Sequence, residues 1–532
     1  MRKSIIILFI SLCNIAFGQE LSKSGMYHAD FDYLIEKLIE THPDPYSGFG
    51  GPIEFFRKKI QTSELITNSM TNEEFVILLN QFLSNLNDGH TSIFFPKNEN
   101  KIRKVLPLKF KVSTDKMFVQ NSTEEYAGFK GNQLLGINKI PISELLIRAK
   151  AFEPSENVSG EYYSLNRIIS NSQLARKLFG TEILEFTFNS NEGKTSSTEV
   201  SYREQVNYIS EKSKIDFKND NGLLDWSMIG KNKDIGYMAW NSILSREVVE
   251  NTYKNSTDWI QDNLNWAFNY LKEKQSGNIE NDINKIPSLY EQFYLLTKAM
   301  KNKNSKYLIL DLRENSGGMT PIVRPLLYIL FGDDYLNFDF EAEMIRKISP
   351  LYLQKIGFSL IADFNKAYNC NLKVGDYIFD SFGNFDTNST LEQRKKIIEN
   401  GYNGFGAEYI KKTEPLTNVQ IFVLTSPQTF SAAYHFSYFL KKLGRTRLVG
   451  VASRQAGNAF METTNITLPN TNIRGSISNS KQILFKDNLE SGTLFKPDYE
   501  MDWNDFKRLG FDKNSEILKT LEIIENEINN AC

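Results

Sequence analysis

A serine that a buried strand would hand to the first turn of a helix is the feature of this 532-residue chain best suited to covalent chemistry. Ile421-Phe-Val-Leu424 is uniformly apolar and partly β-branched, which predicts a strand covered on both faces in a mostly parallel sheet. Pro427 ends the ladder. From Ser431 onward the apolar positions Ala432, Ala433, Phe436, Phe439, Leu440 and Leu443 share one helical face, and Gly444 stands where a C-terminal cap belongs. Amides at a helix start have no intrahelical partner and can hold negative charge developing on an acyl group under attack. Taken alone, Ser431 fits a plain N-cap better than a nucleophile. His435, four residues on and hence on the same helical face, is one candidate base, although its ring must compete with packing between Ala432 and Phe439.

Two further segments carry groups that such a serine needs. Tyr307 to Leu312 reads as a second buried parallel strand, and Gly317-Gly318 follows its carboxyl end, where ligands of open α/β sheets bind and where paired glycines let amides approach them. Leu86-Asn-Asp-Gly-His-Thr91 closes an apolar helical run, and His90 is one of four histidines in the chain. A histidine with an ordinary pKa near 6.5 accepts a serine proton at neutral pH, which contributes roughly 10²- to 10⁴-fold in rate.

Together these residues resemble the serine-peptidase family that contains tricorn protease, the C-terminal processing (tail-specific) peptidases and the interphotoreceptor retinoid-binding protein. The resemblance rests on Asp88-Gly-His-Thr91, Leu310-Asp-Leu-Arg313 with Gly317-Gly318, Thr425-Ser-Pro427 leading to Phe430-Ser-Ala-Ala433, Leu448-Val-Gly450 and Pro497-Asp498. It implies an α/β fold with a mostly parallel, crotonase-like (ClpP-like) core. Processing peptidases pair their serine with a lysine about 25 residues later, a place that Ala456 takes here, and a methyl group cannot accept a proton. The tricorn-like branch uses a histidine from the preceding helical region, and His90 matches it. The resemblance therefore implies Ser431 as nucleophile, His90 as base, Glu490 as the group that orients the imidazole, and amides of Gly317 or Gly318 and of Ala432 as the oxyanion hole. Three departures stand out: Gly89 replaces a serine before the histidine, Tyr434 replaces a common glutamate, and the spacing from Glu490 to Pro497 is a residue longer than the pattern. Asp311 and Arg313 read as a structural pair closing the strand end.

The amino terminus predicts export. Arg2-Lys3, an apolar run from Ile5 to Phe17 and small residues at Ala16 and Gly18 read as a signal peptide over residues 1–18, too short in its apolar part to span a bilayer. Cys13 falls inside that run, so only Cys370 and Cys532 remain after cleavage and no disulfide framework is expected. With 62 basic and 64 acidic residues, no global field favours nucleic acid or an anionic membrane. No later segment is apolar enough for an integral membrane span. Phosphate-loop and zinc-ligand spacings are absent, so no cofactor and no metal are expected.

The elements that must position these groups divide the chain into four parts. Residues 19–102 read as a helical region carrying His90. Residues 103–205 read as a small β-rich unit with strands near Leu106–Val112 and Glu182–Phe188, and Gly131-Asn-Gln-Leu-Leu-Gly-Ile-Asn138 resembles a PDZ-like domain, a fold that captures peptides at a sheet edge. Residues 230–532 form the α/β core, interrupted at about 333–417 by an aromatic-rich insertion that either shapes a substrate site or builds a satellite core. His42 and its neighbours are read as lining a groove. The expected function is an exported serine peptidase acting on a peptide or protein substrate. Two alternatives remain: a catalytically silent binding protein for an apolar ligand or peptide, and a hydrolase of non-peptide esters or amides.

Overall fold

Continuous apolar runs form the centre of the chain, as their composition requires. In the computed structural model, which describes residues 22–96, 104–210, 215, 222–255, 260–402, 404–488 and 492–531, a six-stranded sheet joins Ile235–Trp240, Tyr307–Asp311, Gln420–Thr425, Thr446–Gly450 and Tyr499–Glu500 in parallel. Leu224–Ile229 adds an antiparallel edge to Ile235–Trp240. Leu308, Ile309, Ile421, Phe422, Val423 and Leu424 are wholly buried because helices cover both faces. One face packs under Leu289–Asn302, Arg324–Phe331 and Ala432–Lys442, and the other under the carboxyl-terminal helix Ser515–Ala531.

Three more units surround this sheet. Lys23–Thr41, Pro52–Glu64 and Asn72–Leu83 form the helical region, the last started by a Thr71–Glu74 capping box. A second six-stranded antiparallel sheet contains Leu108–Val112, Met117–Ser122, Gln133–Ile137, Ile183–Asn189 and Thr195–Ser201. Its core includes two helices, Val158–Ile169 and Ser172–Phe179, which the strand-like texture of that region did not anticipate. The third sheet is assembled from distant sequence: Arg474–Ile483 pairs with Phe460–Thr467, with Ala342–Lys347 from the aromatic-rich insertion, and with Ser92–Ile93 just after His90.

That last pairing brings the amino-terminal helices to the α/β core. Ser92 lies opposite Ser476 and Ile93 opposite Gly475. The buried Asn80 side chain imitates a strand partner, donating to the Ile93 carbonyl at 2.9 Å and accepting its N–H at 2.8 Å. Ser476 Oγ donates to the His90 carbonyl at 2.8 Å. Within the insertion, Tyr352 and Phe358 pack on a satellite core of Ile348, Leu353 and Phe364, whereas Tyr335 and Phe340 join the main core. Residues 1–21, where the signal peptide is expected, lie outside the described residues.

Candidate active site

Ser431 stands between the strand Gln420–Thr425 and the helix Ala432–Lys442, with φ 53° and ψ −122°. A non-glycine residue held there costs of order 1–3 kcal/mol and persists only where its surroundings fix it. Gln455, wholly buried, supplies part of that fixing by accepting the Ser431 N–H at 2.6 Å. The serine side chain makes no capping bond, so it is not spent on the helix as a plain N-cap would be.

Glycine is required opposite this turn. A Cβ on Gly317, at φ 99°, would lie 2.6 Å from the Phe430 carbonyl oxygen and 2.7 Å from Ser431 Cβ. One on Gly318, at φ 148°, would lie 2.9 Å from the Ile243 carbonyl oxygen. The Gly317 amide is committed to Asn315 Oδ1 at 2.9 Å, and Asn315 is in turn held by the Trp240 carbonyl at 2.7 Å. Asn315 thus takes the Gly317 amide and not that of Gly318, which lines the same cavity as Ser431.

His90 reaches this site through ring stacking. Its imidazole lies on Phe430, the residue before Ser431, with centroids 4.5 Å apart and planes at 22°. The guanidinium of Arg454 covers the same phenyl ring at 4.3 Å. His90 and Ser431 line one cavity of about 510 Å³, shared with Gly318, Thr320, Arg324 and Glu462. Cavities of about 900 and 890 Å³ exist elsewhere, but neither contains the serine or the histidine. Both His90 ring nitrogens are buried without a hydrogen bond, so His90 and Ser431 line one cavity but are not bonded to each other.

Two carboxylates flank the imidazole. Glu156 Oε1 is 3.4 Å from His90 Nδ1, and the glutamate accepts the amides of Gly89 at 3.2 Å and Ala456 at 2.7 Å. Burial raises the pKa of Glu156, opposed by His90 and by the Ala456 amide. A Cβ on Gly89 would stand 3.0 Å from Glu156 Oε1, so the missing side chain at that position makes room for this carboxylate. Asp88 Oδ1 accepts the His90 N–H at 2.8 Å, and its Oδ2 is 3.4 Å from Nε2 of His42. Burial alone would raise the Asp88 pKa, yet His42, His90 and Thr91 together hold it down to about 2. Donor atoms of Asp88, His90 and Glu156 lie within 4.8 Å of one another, the one such group among the described residues. Its carboxylates already accept backbone amides, an arrangement suited to orienting an imidazole.

Several expectations shift here. His42 lines no groove: it is wholly buried, wedged between Asp88 and the Phe460 ring. His435 is unsuited to proton transfer, because Thr320 Oγ1 at 2.9 Å and Gln482 Oε1 at 2.7 Å occupy both ring nitrogens and burial lowers its pKa to about 4. Asp311 and Arg313 form a structural pair, with Arg313 also binding Glu516 of the carboxyl-terminal helix at 2.6 Å. Glu490 lies outside the described residues, although Gly492, two positions later, packs against the Glu156 carbonyl. Glu156 and Gln455 had no signal in the sequence beyond being polar residues in unpatterned loops.

The fold has precedents. Mature CPAF complexed with lactacystin is 16% identical over 95% of this chain and 99% of its own, with a TM-score of 0.56. Mature CPAF without that compound is 16% identical over 94% and 98%, with a TM-score of 0.54. At such identity the likeness is one of fold. No curated protein matches the chain. A family model, "Peptidase family S41", matches residues 281–479, which include Gly317, Gly318 and Ser431 but not His90, Glu156 or Glu490. Over residues 281–479 the chain is therefore similar to peptidase family S41, and this match together with the fold supports a serine-type peptidase.

Proposed function

We propose that the chain is an exported peptidase that cleaves peptide bonds through an acyl-enzyme on Ser431. His90 acts as general base and then as general acid, and the amides of Gly318 and Ala432 hold the oxyanion. The observation that carries this reading is the stacking of His90 on Phe430, which puts an imidazole with an unspent nitrogen in the cavity of a strained, uncapped serine. Glu156 keeps the ring in place from the Nδ1 side, and Glu490 remains the alternative for that role. Catalytic hydrogen bonds are often long before substrate arrives, so the absence of a bond between Ser431 and His90 is compatible with proton transfer once an acyl group is seated.

Export follows from the signal-like residues 1–18, and among the described residues no helix is long and apolar enough to cross a membrane. The strand Gln133–Ile137 and helix Ile142–Ala149 support a PDZ-like reading of residues 103–205, with peptide capture as its use. A fluorophosphonate probe tests the central claim. It is expected to label wild-type protein at Ser431 and to fail on His90→Ala. Absence of labelling on the wild type, with the fold intact by circular dichroism, would favour the silent binding protein instead. A panel of matched peptides and esters then separates peptidase from esterase.

A further inference from the structure

Among the described residues, Arg324 is the one arginine or lysine that is almost completely buried. Arg313 binds Asp311 and Glu516, and Arg346, in the same cavity as Ser431, binds Glu462 and Asp380. Arg324 is 4% exposed and has no carboxylate partner among the described residues. Its Nε donates to the hydroxyl of Tyr335, while Nη2 is buried and unpartnered. The rings of Tyr335, Phe385 and Tyr402 surround the guanidinium at 5.3, 5.1 and 4.9 Å. Arg324 also opens the helix Arg324–Phe331, the end at which the macrodipole disfavours a cation.

These placements leave a charge without its complement. An arginine stays protonated, and removing it from water is costly unless a counter-ion and hydrogen bonds replace the solvent. Aromatic faces recover part of that cost, about 0.5–2 kcal/mol each, but they cannot accept the N–H bonds that point along the guanidinium plane. The planar fork of arginine matches a carboxylate, which can bind it through two parallel hydrogen bonds. Because Arg324 lines the cavity of Ser431, an anion bound there would belong to the substrate.

We propose that Arg324 is the specificity residue of this peptidase and binds a substrate carboxylate, either an aspartate or glutamate side chain or the free carboxyl terminus. The proposal rests on the Ser431 reading and names its substrate class. The aromatic box holds the guanidinium in position for a bidentate contact and excludes the water that would compete for it.

The test uses the mature full-length chain and internally quenched peptides sharing one core. One arm exchanges Glu for Gln at each position near the scissile bond, and the other compares free with amidated carboxyl termini. A preference in kcat/KM of tenfold or more for the carboxylate member of either pair is expected, and the arm showing it identifies the source. Arg324→Gln is expected to erase the preference, while Arg324→Lys keeps part of it. Equal cleavage of acid and amide by the wild type would overturn the proposal while leaving the peptidase reading intact. Retention of the preference in Arg324→Gln would overturn it as well. Should no peptide be cut at all, the catalytic reading fails, and calorimetry of the same peptides on the wild type still decides whether carboxylates bind at least tenfold more tightly than amides and whether Arg324→Gln removes the difference. Should Arg324→Gln not fold, the wild-type acid-to-amide ratio and the retained fraction in Arg324→Lys decide.

Discussion

At the scale of single residues, the proposed chemistry separates groups that react from groups that hold them. Ser431→Ala and His90→Ala are expected to lower kcat by at least about 10⁴-fold with little change in thermal midpoint, because neither side chain makes a hydrogen bond that the fold needs. Peptide turnover and a melting curve on each variant check this, and an active His90→Ala would remove the imidazole from the mechanism. Glu156→Gln addresses the orienting carboxylate. It keeps the size of the side chain but loses the negative charge beside Nδ1 and sets an NH₂ group against an amide donor. A fall of about 10²-fold in kcat is expected as the imidazolium formed during catalysis loses its counter-charge. If Glu490→Gln produces that fall and Glu156→Gln does not, the orienting role belongs to Glu490.

At the scale of elements, the site depends on two close approaches that only glycine allows. Gly317→Ala would drive a methyl group into the Phe430 carbonyl and Ser431 Cβ while demanding a positive φ, so the serine turn or the paired-glycine turn must move. We expect at least a hundredfold loss of kcat/KM with a modest loss of stability, and wild-type kinetics for this variant would show that the turn is not the reaction centre. Gly475→Val acts from the other side. Its side chain would meet Ile93 Cδ1 at 2.6 Å and the Ser92 carbonyl at 2.8 Å, prising away the short strand that fixes His90. Slower fluorophosphonate labelling at an unchanged overall fold is the expected outcome. The same elements explain what the sequence revealed. The turns that carry Ser431, Gly317-Gly318 and His90 were legible because each closes a strand or helix whose hydrophobic pattern is local. The strand Arg474–Ile483 was not, since it buries Ser476, Ser478, Asn479, Ser480 and Gln482 where a core strand is expected to carry apolar side chains. Glu156 and Gln455 acquire meaning only through contacts with residues far away in the chain, such as Glu156 with Gly89 and Ala456. Periodicity cannot report a contact of that kind.

At the scale of the whole molecule, buried ionisable groups link the site to acid stability. Asp88, held at about 2, contributes stability that is complete above the ordinary aspartate range near 3.8 and is lost as pH falls through 2. His435 acts in a higher window. Burial keeps it neutral in the fold with a pKa of about 4, against which its bond to Gln482 works, while in the unfolded chain it titrates near 6.5. The unfolded state therefore takes up the proton first: stability is full above pH 6.5 and declines toward pH 4, by about 1.4 kcal/mol per unit and on the order of 3 kcal/mol in all. His435→Gln can still bond Thr320 and Gln482 but has no proton to take up. Urea unfolding between pH 7 and 4.5 is expected to show the wild type losing stability faster than His435→Gln, with the two curves diverging below pH 6.5. Parallel curves would mean that His435 takes up a proton in the fold as readily as in the unfolded chain, and so is charged there below about pH 6.5. In that case the helix bearing Ser431 carries a positive charge one turn from the nucleophile, and the electrostatics proposed for the oxyanion would have to include it.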